Sequence, residues 1–166
     1  MTLLKKLIIA CDGESASGKS TAAKLVSKKY KLLLINSGLI YRYCSNLIIQ
    51  NKPKKIIPFL KKKLKTTSYK KISKQRLHSE EISTHVAILS KNRKVRKIVN
   101  SLQMKIITTN NRICVEGRDI ASKILVKKPK YDVAFYFKCT LKVAAKRRWL
   151  DLKKSVPLEE VKKSLK

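Results

Sequence analysis

Residues 7–21 read Leu7-Ile8-Ile9-Ala10-Cys11-Asp12-Gly13-Glu14-Ser15-Ala16-Ser17-Gly18-Lys19-Ser20-Thr21. The segment Gly13 to Ser20 matches the P-loop pattern G-x-x-x-x-G-K-[ST] without a mismatch. Its flanks fit as well. Leu7–Cys11 is an apolar run of strand length, and Ser20-Thr21-Ala22-Ala23-Lys24-Leu25-Val26 reads as the opening turns of a helix. Strand, glycine-bearing loop and helix start together make an anion site, because successive backbone N–H groups and the positive helix end converge on phosphate. The pattern implies a site for a nucleoside triphosphate. Gly13, Ser15, Ala16, Ser17 and Gly18 supply the loop. The N–H groups from Ser15 to Ser20 cradle the β-phosphate, Lys19 reaches the β- and γ-phosphates, Ser20 holds Mg²⁺ and Thr21 caps the α-phosphate.

The chain has 166 residues, which suits one domain with a proper core. Forty-one Lys+Arg against ten Asp+Glu give a formal net charge of +31. Lysines dominate and spread along the whole chain, so they make a diffuse field rather than a shaped groove. Six Tyr, three Phe and one Trp offer few stacking surfaces, which argues against specific nucleic-acid recognition. Nonspecific adhesion to polyanions at low salt is expected. Cys11, Cys44, Cys114 and Cys139 show neither C-x-x-C nor metal-ligand spacing, and three of them sit in apolar runs. They read as small buried hydrophobes in a reducing, cytoplasmic compartment. No apolar run approaches membrane-spanning length, and Met1–Cys11 is too short for a signal peptide.

Strand-like runs at Leu7–Cys11, Leu32–Asn36, Arg112–Glu116 and Val133–Phe137 alternate with helical stretches. This alternation predicts α/β architecture, a parallel sheet with helices on both faces. The helical stripes run from Gly38 to Gln50 and from Glu80 to Thr108, the second with a break near Lys91-Asn92. Residues 51–78 carry Pro53, Pro58 and many lysines, and read as a small insertion or mobile flap outside the sheet. Ser155-Val156-Pro157-Leu158-Glu159-Glu160 reads as a late helix start with Ser155 as its cap.

Two further clusters lie at strand ends, where open parallel sheets bind ligands. Asn36-Ser37-Gly38-Leu39-Ile40-Tyr41-Arg42 follows the second strand, and its arginine offers a bidentate fork to a phosphate. Ile113-Cys114-Val115-Glu116-Gly117-Arg118-Asp119-Ile120 ends the third. There Glu116 is a candidate for Mg²⁺ or its water, and Arg118 for a second phosphate. The remaining two glycines of the chain, Gly38 and Gly117, fall in these two turns.

The three clusters, in this order and spacing, resemble the cytidylate kinase family of nucleoside monophosphate kinases. That family pairs its P-loop with a [DN]-[ST]-G-x-x-Y-R segment and a later D-G-R-D-[ILM]-G-T segment, which stand here as Asn36–Arg42 and Glu116–Ser122. Val95-Arg96 and Ala144-Ala145-Lys146-Arg147-Arg148 extend the resemblance from about Leu7 to Leu152. It implies a three-layer P-loop kinase fold, the cofactors ATP and Mg²⁺, and phosphoryl transfer to CMP or dCMP. With the composition, the expectation is a cytoplasmic monomer with no specific nucleic-acid partner and no membrane partner. Lys19, Arg42 and Arg118 would then be catalytic. Ser37, Arg42, Arg96, Arg118 and Asp119 would bind the acceptor, and Ser20 and Glu116 the metal. Residues 1–166 would form a single kinase domain, with 51–78 as a shortened acceptor-binding insertion.

Several positions depart from the family pattern. Glu14 and Ala16 replace a proline and a glycine of the loop, and Ala16 requires that the backbone there avoid the left-handed region. Ala87 stands where the family has a serine, and Ala121 where it has a glycine. The family's lid segment and last strand would follow Lys166, so the expectation is a truncated kinase with an uncovered sheet edge and marginal stability. The competing readings are another small P-loop kinase with a different acceptor, a lidless inactive remnant, and a basic nucleotide- or nucleic-acid-binding protein.

Overall fold

The computed structural model describes residues 5–127 and 129–165. Four strands form one sheet: β1 (Leu7–Gly13), β2 (Leu33–Asn36), β3 (Arg112–Gly117) and β4 (Val133–Phe137), in the order β2-β3-β1-β4. β1 pairs in parallel with β3 from Leu7↔Arg112 to Asp12↔Gly117, and with β4 from Ile9↔Val133 to Gly13↔Phe137. All four strands fall within a residue or two of their predicted positions. The chain divides into two compact units, Met1–Leu34 with Arg112–Lys166, and Ile35–Asn111.

In the first unit β1 is buried on both faces, as the inner strand of a parallel sheet must be. Ile9, Cys11 and Cys114 pack against Ala23 of α1 (Lys19–Tyr30) and against Leu32. The Cys11 and Cys114 sulfurs lie 3.8 Å apart as free thiols. The contact with Cys114, and after it burial, push the Cys11 thiol well above the ordinary cysteine range, so Cys11 stays protonated, while the same contact lowers Cys114. Two side chains fix the register at the sheet's lower end. Asp132 accepts the Ile8 N–H at 2.7 Å and returns its own N–H to the Ile8 carbonyl at 2.8 Å, which seats β4 beside β1. Arg112, the first residue of β3, donates to the carbonyls of Lys5 (2.7 Å) and Tyr30 (2.6 Å). A cation on the last carbonyls of α1 also favours the helix dipole.

β4 keeps large apolar residues on the surface: Val133, Phe135 and Tyr136 are all exposed. Beyond it α7 (Leu141–Asp151), capped by Thr140, packs on α8 (Leu158–Ser164) through Val161, and the Trp149 indole donates to the Val156 carbonyl. Ser155 does not cap α8. The helix begins later, with Pro157 at the cap position and Glu159 and Glu160 in the first turn, where they face its positive end.

The second unit is helical: α2 (Ser37–Asn51), α3 (Ile56–Lys65), α4 (Tyr69–Ser73), α5 (Glu80–Leu89) and α6 (Arg93–Thr108). The break expected near Lys91-Asn92 is a true helix end, because the Asn92 side chain accepts the N–H groups of Lys94 and Val95 and starts α6 anew. Residues 51–78 lie outside the sheet and have regular structure of their own. They carry α3 and α4, and Leu60, Leu64, Ile72 and Leu77 are all buried, so apolar anchors at helical spacing hold them down. The lysines that obscured this pattern in the sequence lie on the exposed faces.

Arg112→Ala removes both carbonyl contacts and should lower stability by about 1–2 kcal/mol, read as a shift of the urea midpoint with an unchanged slope. An unshifted midpoint would show that the two bonds contribute nothing net.

Candidate active site

The loop after β1 is shaped by its own backbone. Gly13 has φ 156°, and a Cβ there would sit 2.4 Å from the Phe137 carbonyl oxygen, so only glycine lets β4 come this close. Gly18 has φ 94° and opens α1. The Glu14 carbonyl is the inner hub of the loop. It accepts the Ser17 hydroxyl at 2.9 Å and the Lys19 ammonium at 2.9 Å, while the Glu14 side chain itself is exposed. From outside, Arg147 of α7 donates to the Ala16 carbonyl at 3.3 Å, so one of the two arginines at the α7 end touches the loop itself.

Ala16 corrects an expectation. Its φ is 56°, inside the left-handed region that the reading required it to avoid. The loop keeps the shape a glycine would give it and carries the steric cost, roughly 1–2 kcal/mol for an L-residue in that region.

Two cavities flank the loop in this unit. One, of about 610 Å³, is lined by Gly18, Lys19, Ser20, Thr21, Arg147 and Asp151. The other, of about 660 Å³, is lined among others by Gly13, Ser15, Arg118, Asp119, Tyr136 and Cys139. Ser20 and Thr21 stand exposed on the first turn of α1. Lys19 is held below the usual lysine range, chiefly by burial. Glu116 and Asp12 oppose that shift and Arg118 adds to it, so these groups feel one another electrostatically. Glu116, the last residue but one of β3, is 1% exposed and lies opposite Cys11.

One residue the sequence reading passed over holds this arrangement. Asp12, 5% exposed, accepts the N–H groups of Ile120 (2.7 Å) and Ala121 (2.8 Å), one on each carboxylate oxygen. These N–H groups open a π-helical turn, Ile120–Ile124, entered through Asp119 at φ 62°. The end of β1 and the Arg118-Asp119 turn after β3 are thereby clamped together. A carboxylate directly before a P-loop glycine was the available signal. Asp119 pairs with Lys123 at 2.8 Å, and Arg118 is exposed.

In the second unit the predicted acceptor residues sit on two helices. Asn36 caps α2 by accepting the Leu39 N–H at 2.9 Å, and its own N–H goes to the Tyr69 hydroxyl at 2.7 Å. Ser37 is buried and accepts a hydrogen bond from the Gln103 amide of α6. Arg42 donates through one terminal nitrogen to the Leu77 carbonyl (3.1 Å) and the Ser83 hydroxyl (2.9 Å). Arg96 of α6 is half-buried and near enough to Tyr41 to offset part of the rise that burial imposes on that phenol. Gln103, Tyr69 and Ser83 escaped the sequence reading because their partners lie 66, 33 and 41 positions away.

Ala16→Gly relieves the left-handed strain at the cost of glycine's greater backbone entropy. The expected outcome is a gain of about 0.5–1 kcal/mol, measured as a melting temperature about 1–4 °C higher. A lower melting temperature would show that Ala16 is not strained.

These residues can be set against known proteins. The family model described as Cytidylate kinase matches residues 9–166. A cytidylate kinase of Aquifex aeolicus (strain VF5) is 32% identical, over 92% of this chain and 74% of that protein. One from Ureaplasma urealyticum serovar 10 is 35% identical, over 87% of this chain and 69% of that protein. One from Listeria monocytogenes serotype 4a is 28% identical, over 89% and 70% respectively. With the P-loop, the Asn36–Arg42 turn and the Glu116–Asp119 turn all inside the matched region, the chain belongs to the cytidylate kinase family.

Proposed function

We propose that the chain transfers the γ-phosphoryl group of ATP to CMP or dCMP, giving ADP and CDP or dCDP. An oxygen of the acceptor phosphate attacks the γ-phosphorus, and the bond to the β–γ bridging oxygen breaks. The acceptor phosphate is already an anionic nucleophile, so no general base is required. Catalysis is then a matter of positioning and of neutralising charge. The observation that carries this reading is the half-buried Lys19 held on the Glu14 carbonyl, with Glu116 and Arg118 acting on its charge. When ATP enters, its phosphates take over Lys19 from that carbonyl. The N–H groups of Ser15–Ser20 bind the β-phosphate, Thr21 caps the α-phosphate and Arg118 takes phosphate charge.

The donor set suits a hard cation: a serine hydroxyl on the first turn of α1 and the buried Glu116 carboxylate, both oxygen donors. Ser20 and Glu116 would hold Mg²⁺, directly or through water, and the ion would neutralise charge on the phosphates. On the acceptor side Arg42 grips the nucleotide phosphate, while Ser37, Arg96 and Asp119 shape the pocket for sugar and base. Free thiols at all four cysteines support a reducing, cytoplasmic setting. No helix among the described residues is long and apolar enough to cross a membrane.

ADP release from ATP and Mg²⁺ should require CMP or dCMP and should vanish in Lys19→Ala. Equal rates with UMP, AMP and CMP would remove the acceptor assignment. Turnover surviving in Lys19→Ala would remove the site. The depressed Lys19 gives a second test. Bound phosphates favour the charged ammonium and lift its pKa back toward 10.5, so ATP binding above the depressed value takes up a proton. The sign is fixed: affinity for ATP falls as pH rises through that window. Calorimetry in alkaline buffers of different ionisation enthalpy should show uptake in the parent and none in Lys19→Arg, whose guanidinium never titrates there.

A further inference from the structure

Arg42 is held from α5 in a specific manner. One terminal nitrogen donates to both the Leu77 carbonyl, at 3.1 Å, and the Ser83 hydroxyl, at 2.9 Å. The Ser83 hydrogen is already committed, since that hydroxyl donates to the Ser79 carbonyl at 2.8 Å. Ser83 therefore meets Arg42 purely as an acceptor. Its anchor is firm: Ser79 caps α5 by accepting the Ile82 N–H at 3.2 Å, and Ile82 and Leu77 are buried on either side of it. The relay Arg42–Ser83–Ser79 thus ends on a capped helix start. A serine that only bonded back to the carbonyl four residues earlier would be a local feature of α5. This one spends its lone pair on an arginine 41 positions away.

We infer that Ser83 is a positioning residue that sets Arg42 for the phosphate of the acceptor nucleotide. The inference rests on the acceptor role of Arg42 proposed above. An unrestrained arginine loses rotamer freedom when it grips a phosphate, whereas one already fixed by two acceptors has lost much of it beforehand. Ser83 acts on affinity for the acceptor through Arg42 and touches no nucleotide itself, so ATP binding is indifferent to it.

Titration calorimetry on the full chain, with CMP and ATP measured separately, tests this. Ser83→Ala should weaken CMP by roughly 5- to 10-fold, the net effect of losing one ordinary hydrogen bond, since Arg42 keeps its bond to the Leu77 carbonyl. ATP affinity and melting temperature should stay as in the parent, and Ser83→Thr, which keeps the hydroxyl, should restore CMP binding. In an Arg42→Ala background, Ser83→Ala should add nothing. If Arg42→Ala weakens CMP while Ser83→Ala does not, the inference fails and the acceptor reading stands. If Arg42→Ala leaves CMP affinity unchanged, that reading fails and takes the inference with it. A Ser83→Ala variant that loses ATP and CMP together, with a lower melting temperature, would make Ser83 merely structural and would also overturn the proposal.

Discussion

The first unit depends on one buried carboxylate. Asp12 sits where the central strand stops being a strand, and both its oxygens are taken by backbone N–H groups of the turn after β3. A buried charge without partners would be costly, and here two donors satisfy it at the same place where two loops must be held together. The P-loop leaves one side of that clamp and the Arg118-Asp119 turn leaves the other. Their mutual position is therefore set by hydrogen bonds as well as by packing. Lys19 and Glu116 come within each other's field because both chain segments are fixed at this point.

The second unit solves a similar problem with side-chain amides and hydroxyls. The cap and first two turns of α2 are tied from α4 by Tyr69, from α6 by Gln103 and from α5 by Ser83. Gln103 is almost wholly buried, so its pairing with Ser37 replaces hydration that neither group can have there. α2 is an ordinary amphipathic helix by its pattern, but its polar start is specified by three separate donors and acceptors. The helices α3 and α4 matter in the same way, since α4 supplies Tyr69.

Strand positions were legible in the sequence because the apolar runs are short and clearly bounded, whether buried as in β1 and β3 or largely exposed as in β4. The break between α5 and α6 was legible from Asn92, a residue that prefers caps. The phosphate loop was legible from its glycines. What escaped the reading has a common cause. Asp12, Gln103, Tyr69 and Ser83 act through partners far along the chain, and no periodicity reports such pairs. The segment 51–78 was obscured for a different reason: its lysines and two prolines dominate the composition, while only a few buried residues decide its structure. Ser155 looked like a cap because its type and spacing were right, yet Pro157 set the helix start instead. Ala16 was judged by what alanine prefers, and the loop imposed otherwise.

Among the described residues, backbone positions at φ 42° to 62° are occupied by Ala16, Lys31, Lys52, Asp119, Lys153 and Lys154, and by no glycine. Lys31 and Lys52 terminate α1 and α2, where glycine is the usual choice. A protein with four glycines and a surplus of lysine has thus placed side chains where the fold asks for none. Each such position stores a little conformational strain that single substitutions can release one at a time. The composition that gives this molecule its charge therefore also leaves it an unused reserve of stability. That reserve sits at helix ends and loop corners, where it can be drawn on without touching the core.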